Sequence, residues 1–229
     1  MPSIDVDQEL VAAANAGSAA RVSELLACGA NPRKRKSCAL WEAASNGHVD
    51  CVRLLLPVSD PKAVESYALR WAAQNGHAEC VQMLLPVSDA KANESYALRL
   101  AALNGREECV RLLLPVSDPK ALDSKALMWA ANNGHGECVR LLLPVSGPLC
   151  EIEMVLRAVI ESGRAKVAAL LIEEEPRILD GVDLSECLAA ARKRSHHDLA
   201  AYVSSIIDQK EMLATVEDLA ACASAQPRL

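Results

Sequence analysis

The chain has 229 residues, a formal net charge of −6, and just over half of its residues apolar, with three Trp, three Tyr and no Phe. The acidic balance argues against a general nucleic-acid binder, which carries a basic excess, and no apolar run of about 18 residues is present to span a membrane. A core built from Ala and Leu suits closely stacked helices and suits β-sheets poorly.

The N-terminal stretch, Met1 to Glu9, carries Asp5, Asp7 and Glu9 and lacks the basic-then-apolar layout of a secretory signal. The nine cysteines are odd in number and include no CxxC pair. Their spacing reads as packing in a reducing compartment, so a cytoplasmic location is expected.

The first element, "ELVAAANAGSAARVSELLACGANP", reads as a helix pair within residues 5–36. It runs into Arg33-Lys34-Arg35-Lys36, the sharpest charge feature of the chain. These four residues are candidate electrostatic contacts for an acidic partner or a nuclear-import signal. A solvated basic loop is the plainer reading.

Four regular copies follow, at about 37–65, 66–94, 95–123 and 124–150. Pro57, Pro86, Pro115 and Pro144 share a 29-residue register with Gly47, Gly76, Gly105 and Gly134 and with Cys51, Cys80, Cys109 and Cys138. Such self-similarity marks a repeat architecture. In one copy Ala68, Leu69, Ala72 and Ala73 make one helical stripe, and Cys80, Val81, Leu84 and Leu85 make the next. Gly76 stops the first helix and Pro86 the second. In Asp60-Pro61 and Asp118-Pro119 the aspartate is placed to cap a short turn.

Residues 151–181 continue the period, since Gly163 lies 29 beyond Gly134. Residues 182–210 form a seventh, more polar copy in which Ser195 follows Arg192-Lys193-Arg194 and stands where a glycine is expected. Residues 211–229 read as a capping helix or tail, with a frayed Ala-Gln-Pro-Arg-Leu end. End copies differ because one face meets water. The expectation is one domain over 1–229, a solenoid in which paired alanines allow close approach and the cysteines act as small apolar residues.

The segment "ALRWAAQNGHAECVQMLL" (68–85) resembles the ankyrin repeat, and the resemblance extends over roughly residues 5–210. Gly29-Ala30-Asn31-Pro32 is similar to the segment that follows an ankyrin second helix. Two departures stand out. The usual period is 33, and "PVSDPKAVES" replaces the β-hairpin finger, so fingers should be short or absent. The Thr-Pro-Leu-His segment is altered to Tyr67-Ala-Leu-Arg70 and Tyr96-Ala-Leu-Arg99. Short repeats of this kind resemble those of bacterial and large-virus ankyrin proteins.

The resemblance implies an all-α ankyrin-type solenoid of about seven helix pairs. It also implies a protein-binding scaffold with no cofactor, metal or chemistry of its own, read as a monomer that does not enter membranes. Binding would fall on the concave side, where the first helices are exposed. The columns there read Trp41, Arg70, Arg99, Met128; then Glu42, Trp71, Leu100, Trp129; then Ser45, Gln74, Leu103, Asn132. All but Ser45 are candidate partner contacts, because Trp and Arg dominate binding hot spots. Leu100 and Leu103 with Trp71 and Trp129 would make an exposed apolar patch. The alternative is that the Arg-Trp pairs pack between neighbouring helices.

Some signals look chemical. His48 and Cys51, His77 and Cys80, and His135 and Cys138 stand at i, i+3, a spacing that can hold zinc. Arg106 interrupts that column, and the ankyrin motif gives its histidine a structural hydrogen bond. Cys187 precedes His196 and His197, but no acid partner is marked, so the chain reads as no enzyme. Three functions remain: a free-standing adaptor, the substrate-recruiting arm of a bacterial effector delivered into a host, and nucleic-acid binding through residues 33–36.

Overall fold

A computed structural model describes residues 5–224, apart from the side chains of Cys150 and of 217–224. The expected frayed end lies outside these residues. Fourteen α-helices and no strand are found among them. The hairpin fingers of longer repeats are therefore absent from the described residues, as the short period requires.

The chain forms two compact units, Met1–Gly147 and Pro148–Leu229. Unit 1 holds five helix pairs: α1 (Val6–Asn15) with α2 (Ala19–Ala27), α3 (Lys34–Ser45) with α4 (Val49–Leu55), and α5 (Ala63–Asn75) with α6 (Ala78–Leu84). These are followed by α7 (Ala92–Leu103) with α8 (Glu107–Leu113) and α9 (Ala121–Asn133) with α10 (Gly136–Leu142). Odd-numbered helices pack on odd and even on even, giving two layers. The first-helix layer is the more closely packed. The cause lies in the alanine pairs 43–44, 72–73, 101–102 and 130–131, all fully buried, which leave nothing between neighbouring backbones. The closer row forms the inner side of any bend.

Between the layers lie Leu40, Leu69, Leu98 and Leu127 from the first helices and Val52, Val81, Val110 and Val139 from the second. Each contributes about 1.5–3 kcal/mol by leaving water. Cys51, Cys80, Cys109 and Cys138 are buried in the same core. Burial pushes the thiols of Cys80, Cys109 and Cys138 up to about 11, which fits packing and not reactivity.

Unit 2 repeats the plan with α11 (Leu149–Ser162), α12 (Ala165–Glu174), α13 (Leu184–Lys193) and α14 (His197–Ser224). Here α11 packs on α13 and α12 on α14. Ser195 takes the left-handed conformation (φ 61°) that the missing glycine would have supplied, so the turn survives. Residues 211–224 continue α14 as helix, with Met212, Leu213 and Val216 exposed.

The glycine turns are doubly constrained. Gly105 has φ +65°, and an added Cβ would meet Nδ1 of His135 at 2.5 Å. The histidine of each copy thus lies on the glycine of the copy before it. His48 Nε2 stands 3.0 Å from Asn15 O and His135 Nε2 3.0 Å from Leu103 O. Arg106 takes the same place, with its Nε donating to Gln74 O at 3.1 Å. The column is an inter-repeat clamp, which accounts for its tolerance of arginine.

Candidate functional site

The heads of α3, α5, α7 and α9 contain a feature that helical periodicity did not suggest. Residues 35–37, 64–66, 93–95 and 122–124 all have φ between 51° and 59°, three consecutive left-handed residues in each copy, none of them glycine. This conformation costs roughly 1–2 kcal/mol per residue, so each turn needs support.

One support is serine. The Ser37, Ser66, Ser95 and Ser124 side chains are buried, and each Oγ accepts a backbone N–H from the loop that follows the second helix of its copy. The donors are Asp60 at 2.9 Å, Asp89 at 2.8 Å, Asp118 at 2.8 Å and Gly147 at 2.7 Å. Asp60 and Asp118 in turn accept from the N–H of Lys62 and Lys120, the capped turns expected from Asp-Pro. The 29-residue spacing of these serines was visible in the sequence and carried no assignment there.

The other support is arginine. Arg70 donates to Val64 O at 3.0 Å. Arg99 donates to Asn93 O at 2.8 Å and to Glu94 O at 3.1 Å. These carbonyls belong to the left-handed turns. Arg70 and Arg99 are only 9% and 7% exposed, so the expectation of exposed cationic contacts is corrected: they are internal braces. Burial lowers the Arg99 pKa from its ordinary value.

Aromatic rings enclose both guanidiniums. Arg70 lies 4.9 Å from the Tyr67 ring and 5.6 Å from that of Tyr96, and Arg99 lies 4.8 Å from Tyr96 and 5.5 Å from Trp129. Trp41 and Trp71 meet Tyr67 edge-on at 5.3 and 5.7 Å. Trp41, Tyr67, Arg70, Tyr96, Arg99 and Trp129 thereby form one ladder across four copies. Each desolvated cation–ring contact contributes up to about 2 kcal/mol. The two tyrosines were noted in the sequence as departures from a motif, and their role as rungs was missed.

All three tryptophans pack on the ladder and remain partly exposed. Glu42, Gln74, Leu103, Met128 and Asn132 are also partly exposed on this face. Leu100 is 8% exposed, so the expected apolar patch lacks it as a surface residue. Instead it helps to line a depression of about 290 Å³ with Tyr67, Arg70, Trp71, Gln74 and Tyr96. Burial raises the Glu42 pKa.

The signals resembling chemistry separate in space. Cys187 is buried, lines a small cavity with Arg157, Glu161 and Glu186, and has its pKa raised by burial. His196 and His197 line a different cavity. No group of three metal-ligating side chains is found among the described residues.

The family model described as "Ankyrin repeats (3 copies)" matches residues 10–95, 69–154 and 98–185. Among solved structures, the human ASB11 ankyrin repeat domain is similar, with a TM-score of 0.63 and 25% identity over 72% of this chain and 82% of that one. No curated protein matches the chain significantly.

Proposed function

From the premise that the chain belongs to the ankyrin-repeat family, we propose that the first-helix face of unit 1 binds a partner protein. Ankyrin repeats are in general protein–protein interaction modules with no catalytic role. The observation that carries the reading is the ladder and the depression beside it. Aromatic edges around a depression with a few polar groups are what binding hot spots require. Trp71, Gln74 and Leu100 line or flank the depression. Trp41, Glu42, Leu103, Met128, Trp129 and Asn132 extend the contact surface to either side.

Arg70 and Arg99 act here as positioning residues. They hold the rungs in place. The test is capture of binding proteins by the wild type and by a Trp71→Ala, Trp129→Ala variant of equal helicity. An Arg53→Glu, Arg111→Glu variant, altered on exposed residues of the second helices, serves as control. A protein held by wild type and control and lost by the tryptophan variant supports the reading. Loss by the control alone moves the binding face to the second helices and overturns it.

A further inference from the structure

Between the heads of α3 and α5 lies a second cavity, of about 560 Å³, remote in register from the tryptophan columns. Its lining includes Arg33, Lys36, Ser59, Asp60 and Val64. The same position in the next copies carries Glu65, Glu94 and Asp123 where the first copy has Lys36, and Lys62, Lys91 and Lys120 where it has Arg33. The later heads therefore each pair a cation with an acid. The first alone has two cations.

The basic run divides by role. Lys34 is committed to Asp7 at 2.7 Å and Asp5 at 3.4 Å, tying the turn to the start of α1. Arg33 gives its Nε–H to Val58 O at 3.2 Å, which fixes the guanidinium across the junction between copies. Lys36 is exposed and forms no ion pair or hydrogen bond among the described residues. Ser59 is 5% exposed, and its Oγ is buried and without a partner among the described residues, as is that of Ser88 in the next copy. Asp60 is the one acid of the lining, and its Oδ1 already accepts from Lys62 N–H.

We propose that this cavity binds a single anionic side-chain group, carboxylate or phosphoryl, carried by a protein segment. Arg33 supplies a planar fork and Lys36 a flexible point charge, a pair that suits such a group. Two cations against one carboxylate leave a local excess of one positive charge. The excess ends at the next head, where Glu65 stands, and Glu94 and Asp123 continue the acidic register. A nucleic-acid backbone needs a basic stripe that tracks successive phosphates, and this register repels one. One isolated anion fits.

The test is a ¹⁵N-amide NMR titration of the full chain with three probes: inorganic phosphate, the blocked peptide Gly-phosphoserine-Gly and the blocked peptide Gly-Glu-Gly. Saturable shifts confined to residues 33–37 and 58–64 are expected with at least one peptide, and the tighter peptide distinguishes phosphoryl from carboxylate. Lys36→Glu should weaken that binding at least tenfold. It copies the acid at 65 and 94, so its melting curve should match the wild type. Arg33→Ala should weaken binding severalfold. Shifts with inorganic phosphate alone, shifts unchanged by Lys36→Glu, or tighter binding of a single-stranded oligonucleotide than of either peptide would each overturn the proposal.

Discussion

Val64 sits at φ 52°, ψ 50°, the first of three left-handed residues at the head of α5. A β-branched side chain is poorly tolerated there, whereas Asn enters this region several-fold more often. The next copy already has Asn93 in that place, at φ 51°. Val64→Asn should therefore relieve about 1–2 kcal/mol of strain. Val64 is 42% exposed, so the apolar burial lost is below about 1 kcal/mol. The brace from Arg70 reaches the backbone carbonyl of residue 64 and survives the exchange. The net expectation is a gain of roughly 0.5–1 kcal/mol, a rise in Tm of about 1–4 °C for a chain of this size. Val116 provides the control: it is 44% exposed and is not among the residues of positive φ. Val116→Asn should leave Tm unchanged or lower it slightly. Paired thermal melts decide. If Val64→Asn lowers Tm as much as Val116→Asn, residue 64 is not left-handed in solution and the account of the serine and arginine supports fails with it.

Ser95→Ala removes the acceptor of the Asp118 N–H and should cost about 1–3 kcal/mol, seen as a lower urea midpoint at unchanged slope. Gly105→Ala should cost at least about 1 kcal/mol more than Gly29→Ala: the dihedral alone favours the opposite order, since Gly29 has φ +87° and Gly105 φ +65°, but only at Gly105 does the new Cβ strike a side chain, that of His135. A smaller loss at Gly105 than at Gly29 would show that the dihedral alone sets the cost and that the histidine clamp is idle. The hydrogen bond from Lys34, and after it the Asn31 N–H, hold the Asp7 carboxyl below its ordinary value of 3.8. A carboxylate with a lowered folded-state pKa stabilises above its unfolded value, and that contribution is lost as pH falls through the folded value. Hydrogen-exchange protection of α1 and α2 should therefore decline from about pH 4 downward, and Asp7→Asn should flatten that decline.

Much of the fold is written in local patterns. The alanine pairs, the leucine and valine stripes and the glycine stops each act within one copy, so a 29-residue comparison exposes them. The left-handed turns are different. Nothing about Lys-Ala-Val-Glu-Ser favours three residues of positive φ, and local preference opposes it. The conformation exists because Ser66 and Arg70 hold it from both sides, one through the Asp89 N–H and the other through the Val64 carbonyl. Without that turn in view, an arginine beside a tryptophan reads as an exposed hot spot. With it, the acceptors that draw Arg70 and Arg99 inward become apparent. Leu100 was misjudged for a related reason, because a column that holds exposed residues in other copies is covered here by the rungs on either side.

On the proposed function, partner discrimination falls to the positions that vary between copies. Positions that repeat unchanged, such as Ala72 with Ala101 and Ser66 with Ser95, are buried in contacts that any exchange would disrupt. The columns that vary are 41, 70, 99, 128; 42, 71, 100, 129; and 45, 74, 103, 132. Apart from the two braced arginines and Leu100, every member of these columns retains exposed surface. Outside the ladder, variation thus falls on side chains that reach the surface. Trp41 and Met128 take the brace position at the ends of the ladder while Arg70 and Arg99 hold its middle. The most rigid part of the face therefore lies on α5 and α7, beside the depression between Trp71 and Leu100. A partner side chain entering there would meet preorganised rings, and such preorganisation raises affinity by sparing the ordering that association otherwise requires.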